Sequence, residues 1–190
     1  DNQLGLNEYL NGFINEDRFS RDVRLWSNYK DYRPMIEYAK QNKVPVVAAN
    51  PPRRYVNLVS RRGMRSLDSL SKDAKKFLPP LPYDTLTGRY REKFVEIMKG
   101  GPGGNNPNVY YSQSLWDAGM SYSIYKWLKE NKKDKIFHCV GRFHCDEKLG
   151  TLAQLQMRKS KLKILNISCF SDSSFANPDW EKFSTLGDYV

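Results

Sequence analysis

KIFHCVG, residues 135–141, is the stretch on which the fold turns. It is an apolar run of strand length that stops at a glycine. It leads straight into RFHC, 142–145, so that 138–145 holds both histidines of the chain and two of its three cysteines. Two other runs share its character: KVPVVAAN (43–50), which ends at Asn-Pro-Pro, and KLKILNISCF (161–170). Continuous apolar runs of this length, separated by helical stretches, predict a parallel sheet covered on both faces.

The segments between these runs read as helices. YRPMIEYAKQN (32–42) carries Met35, Ile36 and Ala39 on one face, with Pro34 tolerated in a first turn. Arg54 to Arg62 is a short helix stopped by Gly63, and Ser66 to Phe77 a second one halted by LPPLP. Tyr83 to Lys99 is amphipathic and ends in GGPGGNNPN (100–108), a loop without an apolar residue to bury. Val109 to Asn131 is the strongest helix, with Asn108 as its N-cap. Glu147 to Arg158 crosses over between the last two runs. The predicted class is therefore α/β: one domain over 1–190, a mostly parallel sheet flanked by helices, and a helical cap inserted over about 52–131.

Composition narrows the partners. Lys and Arg number 31 against 21 Asp and Glu, a surplus of 10, which favours anionic ligands or surfaces. No RNA-binding signature and no zinc-finger spacing is present, so nucleic acid is not the expected partner. No apolar run reaches the ~20 residues of a membrane-spanning helix. Three cysteines make no disulfide framework. P-loop, GxSxG, HExxH and Rossmann glycine patterns are all missing, which argues against common nucleotide enzymes and serine hydrolases.

In an open α/β sheet, ligands bind beyond the carboxyl ends of the strands. Asn50, Arg53 and Arg54 follow the first run, and Gly141, Arg142 and His144 the second. Gly141 permits a turn with positive φ or close approach to a ligand. His144 lies on the loop above the sheet, where it ligates a metal, binds haem iron, acts as an acid or base, or bonds to loop backbone. His138, inside the strand, reads as a buried histidine satisfied by one partner. His138 and Cys139 point to opposite faces, so the octapeptide does not converge on one zinc ion. Arg53 and Arg54, at a helix start, suit a carboxylate or phosphate, or pair with an acid of the domain. Gln113, Asp117 and Met120 recur at helical spacing. Asp117 either holds a histidine or arginine in place or is solvated. Tyr110, Tyr111, Tyr122 and Tyr125 surround this stripe. A phenolate is an axial ligand of ferric haem, but most of these tyrosines read as packing.

Three of these stretches together, VPVVAANPPRRYVNLVSRRG, SQSLWDAGMSYSI and VGRFHCDEKLGT, resemble the ChaN-like haem-binding lipoproteins of bacteria. The resemblance runs over roughly 1–170. It implies an α/β domain with a helical cap, haem as cofactor, a non-enzymatic role in haem or iron uptake, and lipid attachment to the outer membrane or periplasmic envelope. It also implies a homodimer with haem between subunits and envelope transport proteins as partners. Asn50, Arg53, Gln113, Asp117, Gly141 and His144 carry over as site positions. On this reading Arg53, Arg54 or Arg142 meets the propionates, and His144, Tyr110 or Tyr111 approaches the iron. Two departures stand out. The family's upstream strand and GExH motif precede the first residue here, so N-terminal strands are expected to be missing. The loop 100–108 lacks the family's His and Met. The wider set of erythromycin-esterase-like and TraB-like proteins supplies the alternative, a hydrolase with His144 as acid/base and Arg53 as oxyanion stabiliser.

Overall fold

The structure is a computed structural model that describes residues 2–99, 101 and 106–190. Most of the loop expected over 100–108 lies outside the described residues. The chain forms two compact units, Asp1–Ala48 and Ala49–Val190.

The first unit is helical. Helix α1 spans Gln3–Leu10, α2 Glu16–Asp22 and α3 Tyr29–Asn42. Asn15 caps α2 by accepting from the Arg18 N–H, which satisfies one of the free donors of a helix start. Leu6, Tyr9, Phe19 and Val23 form the buried core, with the Tyr9 and Phe19 rings stacked at 4.6 Å. Arg33 clamps Glu16 with two bonds of 2.5 and 2.7 Å. Residues 44–48 take no regular structure, and Gln3 ties them down: it donates to the Val46 carbonyl and accepts from the Ala48 N–H.

The second unit is built around one long helix. Helix α4 spans Arg53–Arg62 and stops at Gly63, whose φ of +78° suits glycine. A 3-10 turn follows at Met64–Leu67, then α5 at Lys72–Lys75 and α6 at Arg89–Met98. Helix α7 runs from Pro107 to Glu130. Its cap is Asn106, not Asn108, because Pro107 takes the first helical position, where a missing N–H costs nothing. Helix α8 spans Gly150–Arg158 and α9 Trp180–Phe183.

Three apolar clusters pack around α7. Tyr55, Val56 and Val59 of α4 meet Leu115 and Ala118. Tyr90 and Phe94 of α6 meet Tyr110. Leu155 of α8 meets Ile124 and Leu128. Gly119 lets α7 approach the loop before α4, since a Cβ there would lie 2.6 Å from Pro51 Cδ.

The expected α/β class is overturned. Among the described residues no sheet forms, and the bridge present is a single parallel one between Ile167 and Tyr189. Helices do fill much of 52–131, but there is no sheet for them to cap. Among the described residues the runs 43–50, 135–141 and 161–170 form no strand. The reason is visible in the third run. Its inward residues are Asn166 and Ser168, 5% and 2% exposed, while Leu165 and Ile167 point out at 63% and 51%. The Asn166 amide donates to the carbonyls of Cys145 and Leu186, and Ser168 Oγ donates to Asp146. Polar satisfaction of neighbouring loops fixes which face turns in. Phe137 of the second run is also exposed.

Candidate functional site

The site grows from α7. Its 3.6-residue period puts Gln113 and Asp117 on one face, one turn apart. Gly119 falls about 200° further round from Asp117, and α4 packs on that other side. Arg53 and Arg54 therefore begin a helix seated away from the Gln113–Asp117 face. Both are exposed, as is Asn50.

His144 reaches the Asp117 face from a one-turn 3-10 helix, Arg142–His144. Its N–H bonds to the Gly141 carbonyl at 2.9 Å. Gly141 itself has φ −62° and ψ 137°, ordinary extended values. Of the two readings of Gly141, the positive φ is not met, and positive φ falls at Glu147, Lys148 and Gly150. At Gly150, with φ +53°, an added Cβ would lie 2.5 Å from the His144 carbonyl oxygen. That close passage starts α8 directly behind the histidine and delivers Thr151 to the site.

Asp117 is the hub, with no exposed surface. Oδ1 lies 2.8 Å from His144 Nδ1 and accepts from Thr151 Oγ1 at 2.9 Å. Oδ2 accepts from the Tyr90 hydroxyl at 2.5 Å. The Gln113 amide nitrogen donates to the Tyr90 oxygen at 3.2 Å and stands 3.2 and 3.4 Å from the two ring nitrogens of His144. Burial, followed by the Asp117 charge, pushes the Tyr90 phenol far above its ordinary range, so Tyr90 is a donor and not a phenolate. His144 keeps a fifth of its side chain exposed. Phe143 packs beside it against Tyr90.

The other candidates sit elsewhere or are committed. Tyr110 is buried, and its hydroxyl bonds to the Leu86 carbonyl. Burial, then Asp117, raises its phenol to about 12. Tyr111 is half-buried and offers its carbonyl to the Tyr83 hydroxyl at 2.8 Å. Arg142 pairs with Asp146 at 2.8 Å, donates to Ser168 and lies 3.8 Å over the Phe170 ring. His138 was expected to be buried with one partner. Its Nε2 is buried without a partner among the described residues, and burial followed by the nearby His144 lowers its pKa. No group of three or more His, Cys, Asp or Glu side chains converges as a metal cage among the described residues.

Tyr90 and Thr151 escaped the sequence reading. Thr151 closes the stretch VGRFHCDEKLGT but reads as an ordinary helix-start residue. Tyr90 reads as a core position of an amphipathic helix. Its signal is the hydroxyl, because a buried tyrosine needs a partner for its polar tip.

A buried carboxylate holding a partly exposed imidazole by one ring nitrogen is a ligand-presenting arrangement, and it defines a class of imidazole-based metal, cofactor or proton-transfer sites. The chain belongs to the family described as haem-binding uptake, Tiki superfamily, ChaN, whose profile matches residues 1–155. All the hub residues fall inside that range. No curated protein and no solved structure matches the chain. No described helix is long and apolar enough to cross a membrane.

Proposed function

We propose that this chain binds haem through His144 and serves haem or iron uptake at the bacterial envelope. One observation carries the reading: the bond between His144 and the fully buried Asp117. Histidine ligands of metals commonly give their second ring N–H to a carboxylate, which fixes the ring and raises its basicity. The donor set fits that pattern. An ionised carboxylate only accepts, so the proton lies on His144 Nδ1 and Nε2 keeps the lone pair that iron would take. Tyr110, with its proton held by burial, is a poorer ligand.

The aromatic group of Tyr90, Phe94, Tyr110 and Phe143 next to His144 offers apolar surface for a porphyrin edge. Arg142, on the same 3-10 turn as His144, is the candidate cation for the propionates of this haem; Arg53 and Arg54, which begin α4 on the other side of α7, are not. Asn50 and Gly141 complete the proposed set as the last residues of the first two apolar runs. Lipid anchoring, pairing of two copies around haem, and envelope transport partners belong to the same proposal and rest on the family.

Haem would supply iron chemistry or act as cargo; the protein's part is to hold and orient it. The test is a hemin titration followed by absorbance. Wild type is expected to give a saturable Soret shift at micromolar hemin, and His144→Ala to weaken binding at least tenfold. The reading is lost if wild type shows no saturable shift, or if His144→Ala binds equally well.

A further inference from the structure

We propose that Tyr90 and Thr151 are positioning residues that decide which nitrogen His144 presents to its ligand. The donors and acceptors around Asp117 close into a circuit with one consistent assignment. Asp117 is the sink, because a carboxylate has no proton to give. Thr151 spends its single proton on Oδ1 and Tyr90 spends its own on Oδ2. Having given that proton, Tyr90 can only accept from the Gln113 amide. The second amide proton of Gln113 faces the imidazole. It cannot bond to Nδ1, whose own proton is directed at Asp117. Standing almost equally far from both nitrogens, the amide lies against the ring face, so the proton stays on Nδ1 toward Asp117, which only accepts, and Nε2 keeps its in-plane lone pair for a ligand.

Tyr90 and Thr151 are 0% exposed, as is Asp117. No bulk water substitutes for a lost donor there, so the carboxylate must turn toward whatever donors remain. Losing Tyr90 does two things at once. It frees Oδ2, and it releases the Gln113 amide that lies against the imidazole. Both loosen the constraint that keeps the proton on Nδ1. Neither residue touches the ligand; each acts through Asp117 or Gln113.

The experiment uses the full chain without haem. Histidine is labelled with 15N, and long-range 1H–15N correlations report the tautomer of the neutral ring at alkaline pH. The chain has two histidines, so His138→Gln assigns the signals. Wild-type His144 is expected as the Nδ1–H tautomer. Tyr90→Phe and Thr151→Val should each raise the Nε2–H fraction several-fold, and Thr151→Ser, which restores the hydroxyl, should reverse the change. Tyr83→Phe, which removes a buried hydroxyl that bonds to the Tyr111 carbonyl outside the circuit, should leave the tautomer alone. An Nε2–H wild type overturns the proposal. So does an unchanged tautomer in folded Tyr90→Phe and Thr151→Val, or equal effects of Thr151→Val and Thr151→Ser. Should Tyr90→Phe fail to fold, the Thr151 pair decides. The functional meaning rests on His144 being the ligand, and a separate hemin titration of the same variants tests that. Absence of hemin binding by wild type defeats the haem reading while leaving the tautomer result intact; a several-fold loss in Tyr90→Phe supports both.

Discussion

Gly150 is the residue on which the site's geometry leans most. Its φ of +53° and the 2.5 Å approach of the His144 carbonyl leave no room for a side chain. Gly150→Ala is expected to lower stability by about 1–3 kcal/mol, combining left-handed strain with displacement of His144. Urea denaturation measures the loss, and an unchanged midpoint would show that the backbone relaxes freely. The positive-φ turn offered as one reading of Gly141 belongs to Gly150. Gly141 follows an apolar run and looks like the turn, but its backbone is extended. Gly150 sits inside the stretch, Glu147 to Arg158, that reads as helix in the sequence. What makes it glycine is a contact with residues six positions earlier, which spacing does not reveal. His144 and Asp117 were legible because a histidine beside a strand-like end and a carboxylate on an apolar helix both demand partners. Tyr90 was not, because a tyrosine in a core position has an adequate apolar explanation.

At the scale of elements, helices were legible and strands were not. Helix stops are local signals, as Gly63 shows at the end of α4; the start of α7 is less legible, since the sequence reading begins it at Val109 with Asn108 as cap and leaves Pro107 in the loop. Burial of an extended run depends on what comes alongside it, which is long-range information. Thus 161–170 looked apolar enough for a covered strand, yet it turns Asn166 and Ser168 inward. Two predictions concern how elements are joined. Alanine at 119 would favour the helix by about 1 kcal/mol, but its Cβ would collide with Pro51. Overpacking of this kind costs about 1–3 kcal/mol, so Gly119→Ala should be net destabilising and Pro51→Ala in that background should recover part of the loss, by thermal or urea melts. The second concerns the chain's last turn. Asp188 bonds to Lys148 and accepts from the Asn166 N–H. The Lys148 bond and then the Asn166 N–H hold its pKa below the ordinary 3.8. A lowered carboxyl value stabilises the folded contact above the unfolded pKa and loses it as pH falls through the folded one. Acidification below about 3.8 should therefore release residues 188–190, read as faster amide exchange at Ser168 and Tyr189. Unchanged protection at those amides down to full protonation would refute it.

Across the second unit, apolar side chains stand outside. Phe137 is 81% exposed, and Ile136, Leu165 and Ile167 are also exposed. Ser168 N–H donates to the Tyr189 carbonyl and Tyr189 N–H to that of Asn166, along one edge of 166–168, leaving the other edge of that segment unpaired by backbone among the described residues. Open apolar edges invite association, and a lysine on them blocks it. Ile167→Lys should reduce concentration-dependent light scattering without lowering the melting temperature. Equal scattering would show that the edge is inert. The charge surplus works in the same direction as the lysine, since like-charged chains repel. The circuit around Asp117 carries a different consequence, one for genetics. Five side chains share a single wiring diagram, so damage to one is damage to all. Losses should be epistatic: removing Tyr90 and Thr151 together should hurt ligand affinity little more than removing either, and evolutionary change at one position should be tolerated only when another changes with it.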